Sequence, residues 1–488
     1  MLIDGTWAFG DGAERELHDP STAKVFATYR GASPKQVAAA LEGAKWGFVS
    51  WSILPPITRT KILLDAAEIL RGQISRLAAT LTLEQGKPIA EATAEWKASI
   101  ETLVWYANEG LRTYGRLVPA RQQGVQQAVS REPVGPVAAF APWNFPALTP
   151  IRKIAAALAA GCSCVIKPAE ETPLCTLEIG RALISAGLPP GVLNIVYGDA
   201  PAIATQLIES PVIQKVSFTG STAIGRKLAA LAGAHVKPLT LELGGHAPVV
   251  IFPDADLDLA IRQAGSGKFK NAGQICVAPT RFIVHDDVYE LFVERLVAYA
   301  SSLHVGNGAD PAVQLGPLAN MRRVQQMADL VEDARASGAR VSTGKLPRVS
   351  SGYFWPATVL HDLSPEARIL REEPFGPLAP CVRFSDFETA VSIANGVAFG
   401  LSAYAFTRSL ELAHRAANAL KAGMVGINTC RVSLPELPFG GVADSGYGRE
   451  GGNEGLEPYL ITKSISMAYA PNPTDGVNMR VVSQPLPY

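Results

Sequence analysis

Four short apolar runs, at 136–140, 162–166, 193–196 and 216–218, alternate with alanine- and leucine-rich stretches at 152–160, 174–186 and 201–209. A strand that is apolar throughout is buried on both faces, and a helix between two such strands returns the chain so that they lie parallel. The alternation predicts an open parallel α/β sheet, in which ligands bind beyond the carboxyl ends of the strands. Three segments follow those ends: Pro142-Trp143-Asn144-Phe145-Pro146, Lys167-Pro168-Ala169-Glu170 and Thr219-Gly220-Ser221. They are expected together on one rim.

A second α/β unit is expected from about His246 to Asp444, with strand candidates at 248–252, 281–285, 380–384, 403–406 and 424–428. From Ser33-Pro34, a helix cap followed by a first-turn proline, the chain reads as largely helical to about Tyr114. Breaks fall at 51–56 and at Gly86-Lys87-Pro88. Residues 116–132 alternate weakly and suggest an exposed hairpin. Residues 462–488 begin strand-like and end rich in Pro, Asn and Ser, with too little apolar content to fold alone.

Composition narrows the partners. Lysine plus arginine equals aspartate plus glutamate at 44 each, which provides no basic field for nucleic acid. Met1-Leu2-Ile3-Asp4-Gly5 lacks the basic and apolar regions of a signal peptide, and no window approaches the ~20 apolar residues of a membrane span. Six sparse cysteines form no secreted disulfide framework, so a reducing, cytoplasmic compartment is expected. The seven histidines are scattered, and no metal site is expected. Gly265-Ser266-Gly267-Lys268 imitates a phosphate loop, but Arg262 stands where its first glycine belongs and Phe269 follows the lysine.

One cysteine has the surroundings of a nucleophile. Cys276 sits in the small, turn-forming frame Asn271-Ala272-Gly273-Gln274-Ile275, and Glu242, beside Gly244-Gly245, is an acid near the joint between the two units. A thiol, a carboxylate base and an amide donor are the minimum set for covalent attack on a carbonyl. Asn144, rigidly framed by prolines and aromatics, is the candidate donor. Gly220 and Ser221 open a helix and can bind a diphosphate, although a plain helix cap has the same pattern. Lys167 and Glu170 can hold the hydroxyls of a ribose, although an ordinary ion pair has the same spacing.

Together these motifs resemble the NAD(P)-dependent aldehyde dehydrogenase superfamily. Glu372-Glu373-Pro374-Phe375-Gly376-Pro377 and Pro438-Phe439-Gly440-Gly441 complete the set, which occurs in the family's order along nearly the whole chain. The resemblance implies the aldehyde dehydrogenase fold: a Rossmann-like cofactor domain from 1–115 and 134–244, and an α/β catalytic domain from 245–444. It implies a small β oligomerisation extension from 116–133 and 466–488, with 445–465 returning to the first domain, and a homodimer or homotetramer. It assigns Cys276 as nucleophile, Glu242 as water-activating base and Asn144, with the Cys276 amide, as oxyanion donor. It places Trp143, Lys167, Glu170, Gly220, Ser221, Glu373 and Phe375 on the cofactor. A carboxylate at 170 repels a 2′-phosphate, so NAD is expected over NADP.

Within the superfamily the chain looks most like the succinate-semialdehyde dehydrogenases. That likeness puts Arg152 and Ser433 on the distal carboxylate of the substrate, with Lys270 where a second arginine is usual and Ala278 in place of a regulatory cysteine. Lysine attracts a carboxylate as a point charge without the guanidinium fork. 2-Oxoglutarate semialdehyde and a broader aliphatic or aromatic aldehyde therefore stand as alternatives. Ile461 is matched to a position where many relatives carry a glutamate near the base, which implies that deacylation leans on Glu242 and bulk water. Two other readings remain: transfer of the acyl group to coenzyme A, and a catalytically silent binding or structural protein on the same fold.

Overall fold

Alternate residues of each central strand face opposite ways, and the two directions lead into two separate cores. In the computed structural model, which describes residues 1–346 and 351–469, strands Val137–Phe140, Cys164–Lys167, Leu193–Ile195, Lys215–Thr219 and Leu239–Glu242 are the parallel centre of an eight-stranded sheet. Val137 and Ala139 pack into one apolar cluster, and Ala138 and Phe140 into the other. Both faces are therefore covered by helices, as a parallel sheet requires.

The helices divide between the two faces. α1 (Pro34–Ser52), α7 (Ala200–Glu209) and α8 (Thr222–Ala234) supply one cluster. α2 (Pro56–Arg71), α3 (Ile74–Gln85), α4 (Ile89–Glu109), α5 (Leu148–Ala160) and α6 (Leu174–Ser185) supply the other. Ser33 caps α1 in a reciprocal pair with Gln36, and Pro34 follows in the first turn. The expected breaks are present, and a further one at Gly72-Gln73 separates α2 from α3. No periodicity break marks it, because the apolar faces of both helices turn toward the same core.

Chain order and space order diverge at one place. The chain lays down 137–140, then 164–167 and 193–195 to one side, and crosses to add 215–219 and 239–242 on the other. The loops after 137–140 and 215–219 leave in opposite directions and open a crevice between them. The strand Gly446–Tyr447 then returns to pair antiparallel with Leu241 and Glu242.

A second, seven-stranded sheet holds Ala247–Ile251, Pro279–His285, Leu378–Phe384, Ser402–Phe406 and Met424–Ile427, all parallel, with Thr358–His361 and the antiparallel Arg340–Thr343 at one edge. The last two strands, and those of the first thirty residues, carry no clean alternation and lie outside the sequence expectations.

The expected hairpin forms from Arg116–Val118 and Val125–Pro133. Leu460–Ala468 adds to it as a third strand, so 466–468 pair with 125–127 of the same chain, where the sequence suggested a neighbour. Residues 470–488 of that expected segment, and 347–350, lie outside the described residues. Among the described residues no helix is long and apolar enough to cross a membrane.

α1 is packed so closely that helix propensity gives the wrong sign for one substitution. Alanine exceeds glycine in helix propensity by about 1 kcal/mol, yet a Cβ at Gly47 would stand 2.2 Å from the carbonyl carbon of Gly191. Gly47→Ala is expected to destabilise by about 2 kcal/mol, the cost of overpacking, read as a lower thermal midpoint. An unchanged or raised midpoint would refute this packing.

Candidate active site

The nucleophile loop is held in an uncommon backbone conformation. Asn271, Ala272 and Gly273 have φ of 49°, 51° and 72° in succession, and a non-glycine residue persists there only where its surroundings over-determine it. Those surroundings are explicit. The Asn271 amide donates to Glu91 Oε2 at 2.7 Å, Gln274 Nε2 donates to the Asn271 carbonyl at 3.1 Å, and the Ala319 amide donates to Gln274 Oε1 at 2.9 Å. At Gly273 a Cβ would lie 2.1 Å from the Gly376 carbonyl oxygen, so only glycine fits.

Cys276, three residues on, lines a cavity of about 920 Å³ between the two sheets. Burial, then the nearby carboxylates of Glu373 and Glu242, push its thiol up to about 12. At neutral pH it rests protonated, and attack requires a base. Asn144 lies on the same wall with its side chain buried, and its Nδ2 donates to the Gln274 carbonyl at 3.0 Å. Two of the predicted catalytic residues thus meet through Gln274.

Glu242 does not line the cavity wall; it ends its strand buried, with neither carboxylate oxygen hydrogen-bonded. Gly440 makes room for it, since a Cβ there would lie 2.8 Å from Glu242 Oε1. Burial and then the like charge of Glu450 raise its pKa well above the carboxylate range, while Lys153, Arg152 and Arg449 oppose the rise. Glu450 is itself paired with Lys153 at 2.6 Å, and Lys153 Nζ also donates to Ser217 Oγ at 3.0 Å.

The Lys153–Glu450 pair was not singled out in the sequence. A lysine beside Arg152 at the head of the apolar run 154–160, and Ser217 alternating with Lys215 and Thr219 on one strand face, were the available signals. Ile461 lies on the outer sheet. Its side chain is 45% exposed on the outer three-stranded sheet, paired with Glu132, and the acid near the base is Glu450. The peptide register of the edge strand carries residue 461 away from the core.

One end of the cavity carries the residues expected on the cofactor. Gly220 and Ser221 open α8, where Ser221 is indeed a helix cap, its Oγ accepting from the Ile224 amide at 3.5 Å. Trp143 and Phe375 meet edge to face at 5.6 Å, and Arg323 lies over the Phe375 ring while donating to its carbonyl at 2.8 Å. Glu373 accepts from the Gly245 amide at 3.0 Å, and burial pushes its carboxyl up to about 7 against the opposing pull of Arg323 and Lys268. Lys167 and Glu170 lie off the cavity wall at the end of the neighbouring strand, ion-paired at 2.7 Å, with the Tyr29 hydroxyl donating to the Glu170 carbonyl at 3.0 Å.

At the other end Arg152 is poised without a carboxylate partner among the described residues. Its Nη2 donates to Ser433 Oγ at 2.7 Å, and its guanidinium lies over the Phe439 ring at 4.3 Å. Lys270 is exposed at the mouth, close enough to Glu91 to draw down a carboxyl that burial pushes up to about 7. Its charge is therefore partly compensated. The half-buried thiol of Cys430 also lines this end and was not singled out in the sequence.

The shape accommodates a nicotinamide dinucleotide. Free amides and a hydroxyl open α8 on the rim, and a Cβ at Gly244 would stand 2.6 Å from Glu373 Oε2 in the passage toward Cys276. Glu373, Phe375 and Trp143 would hold the nicotinamide half, and Lys167 with Glu170 the adenosine ribose.

Comparison with known proteins agrees with this geometry. The family model described as the aldehyde dehydrogenase family matches residues 7–465. A succinate-semialdehyde dehydrogenase [NADP(+)] of Escherichia coli (strain K12) is 40% identical over 95% of this chain and 96% of its own. A 4-(hydroxymethyl)benzenesulfonate dehydrogenase of Comamonas testosteroni is 42% identical over 95% of this chain and 97% of its own. The crystal structure of a succinate-semialdehyde dehydrogenase from Burkholderia pseudomallei superposes with a TM-score of 0.94 at 42% identity, covering 96% of this chain and 97% of that one. With its doubly wound sheet, its second α/β sheet and a half-buried cysteine in the cavity between them, the chain belongs to the aldehyde dehydrogenase family.

Proposed function

We propose that this enzyme oxidises an aldehyde bearing an anionic group at its far end to the carboxylic acid, with NAD preferred over NADP. The observation that carries the reading is that one cavity is lined by Glu373 and Phe375, by Cys276 and Asn144, and by Arg152 and Ser433. Residues 1–115, 134–244 and 445–465 would form the cofactor unit and 245–444 the catalytic unit. The three-stranded outer sheet would join copies into a dimer or tetramer, since Leu117 is 72% exposed on its edge strand.

In this reading Cys276 Sγ, once deprotonated, bonds to the aldehyde carbon, and the carbonyl oxygen takes the negative charge. The Asn144 amide and the Cys276 backbone N–H receive that oxyanion. A nicotinamide, which Glu373 and Phe375 would hold, would supply the hydride acceptor needed to oxidise the Cys276-bound thiohemiacetal to a thioester. Glu242 then takes a proton from water as the water attacks the thioester carbon, releasing the acid and restoring the thiol. A carboxyl with a raised pKa is a stronger base once ionised, and burial keeps it from being satisfied by other donors.

The substrate class follows from Arg152. A guanidinium fixed by Ser433 and Phe439 presents a fork to a carboxylate or a sulfonate, and the two relatives' names describe one molecule of each kind. NADH formation with a panel of carboxylated, sulfonated and uncharged aldehydes, with and without coenzyme A, tests the whole reading. No absorbance change with any aldehyde would favour the silent alternative, and a requirement for coenzyme A would favour acyl transfer.

Three variants test the parts. Arg152→Ala is expected to raise KM for anionic aldehydes by about tenfold or more, the value of a charge-assisted hydrogen bond, and to leave propanal nearly unchanged. Equal effects on both would refute the role. Glu170→Ala is expected to raise kcat/KM with NADP relative to NAD about tenfold, because the repelling carboxylate goes and Lys167 is freed from its 2.7 Å pair; an unchanged ratio would remove residue 170 from cofactor choice. Deacylation should quicken as pH rises through the Glu242 pKa. Since Glu450 raises that pKa, Glu450→Gln should move the limb toward lower pH. A limb that stays put in single-turnover hydrolysis would show that another group titrates.

A further inference from the structure

Gln85 and Lys87, on either side of Gly86 where α3 gives way to α4, are distant in sequence from both reacting loops yet are bonded one to each. Lys87 is 2% exposed, and its Nζ donates to Glu95 Oε2 at 2.5 Å and to the backbone carbonyl of Asn144 at 2.9 Å, with the ammonium 4.1 Å from the Phe145 ring centre. The other oxygen of Glu95 accepts from the amides of Ala147 and Leu148, at 2.9 and 3.2 Å, where α5 begins. The cation thus holds the middle of the 142–147 loop, and its counter-ion holds the end.

The same Asn144 carbonyl accepts a second bond, from Asn271 Nδ2 at 3.0 Å. Gln85 Nε2 donates to Asn271 Oδ1 at 3.0 Å, and Gln85 Oε1 accepts from the Lys87 amide at 3.0 Å. Lys87, Asn144, Asn271 and Gln85 therefore close a ring of hydrogen bonds, all of them buried. The ring joins the loop that carries the oxyanion donor to the strained loop that leads to Cys276. Asn144 Nδ2 spends one N–H on the Gln274 carbonyl, and its other N–H is aimed by whatever fixes the Asn144 backbone.

Stability alone is a poor account of this arrangement. A buried ion pair is often matched or bettered by apolar residues of the same volume. Geometry is a better account, because a misplacement of about 1 Å at a reacting centre costs about 100-fold in rate. We propose that Lys87 is a positioning residue: by its bond to the Asn144 carbonyl, within the ring completed by Gln85 and Asn271, it sets the Asn144 amide relative to Cys276. The inference rests on the reading of Asn144 as oxyanion donor in aldehyde oxidation.

The test is a double-mutant cycle on the full-length protein. Lys87→Met combined with Glu95→Gln removes both charges and keeps the acceptor for Ala147 and Leu148, so no bare charge is left buried. This variant is expected to lose about 100-fold in kcat for NADH formation. The Kd for NAD, from fluorescence titration, and the rate of Cys276 alkylation by iodoacetamide should stay within about threefold, since neither uses the oxyanion donor. Placed in an Asn144→Ala background, the same pair should cost less than about threefold more, because the group it positions is gone.

A folded variant with wild-type kcat, or the full loss repeated in the Asn144→Ala background, overturns the proposal. Should the paired variant fail to fold, Gln85→Met opens the ring on its other side and is carried through the same cycle with the same criteria. An inactive wild-type protein with every aldehyde would instead overturn the functional reading itself, a result visible before any variant is compared.

Discussion

The parallel pairing of Val137–Phe140 with Lys215–Thr219 organises everything built around it. Its register sets Phe140 opposite Phe218, so the two strands end side by side. One is followed by the Asn144 loop and α5, the other by Gly220, Ser221 and α8. Parallel strands joined by right-handed crossovers must place these exits at the same edge. A crevice at that edge is a consequence of topology. The next strand ends level with Thr219, which is how Glu242 comes to the same rim.

Period-two alternation supplies the other half of the site. Val216, Phe218 and Leu241 turn to the α1 side, so Lys215, Ser217, Thr240 and Glu242 turn toward α5. Lys215 Nζ donates to Thr240 Oγ1 at 2.7 Å, and Lys153 bridges Ser217 and Glu450 beside Glu242. Polar groups in such a place are costly unless each is paired, and here the lysines and Glu450 are. Glu242, like the Thr219 hydroxyl on the neighbouring strand, is left without a hydrogen bond, a buried carboxylate beside the paired Glu450. Cys276, the proposed nucleophile, is treated likewise: burial and neighbouring carboxylates raise its thiol pKa.

Legibility in the sequence followed the range of the interaction. Most central strands of both sheets and the helical opening were plain, though not the strand 239–242 or the break between α2 and α3, because apolar periodicity is a local property imposed by burial on one or two faces. The edge strands at 340–343 and 358–361 and the first thirty residues were not, since short edge strands lack that double burial. Single residues could be placed on a rim from the ends of strands, as Asn144 and Ser221 were. Ser221 proved to be a helix cap that lines the cavity, and Lys167 and Glu170 an ion pair, the plainer alternatives that the same spacings allowed.

By itself the sequence determined the doubly wound sheet, the rim and the identity of the thiol, the carboxylate and the amide that gather there. All follow from residue type and local spacing, which the chain states directly. Only the tertiary structure decided that Lys153 meets Glu450 across 297 residues, that Arg152 is braced by Ser433 across 281, and that Lys87 grips the Asn144 loop. Such pairings leave no local period, because they are selected by the cost of a buried charge without a partner, and that cost exists only once the chain has folded around it.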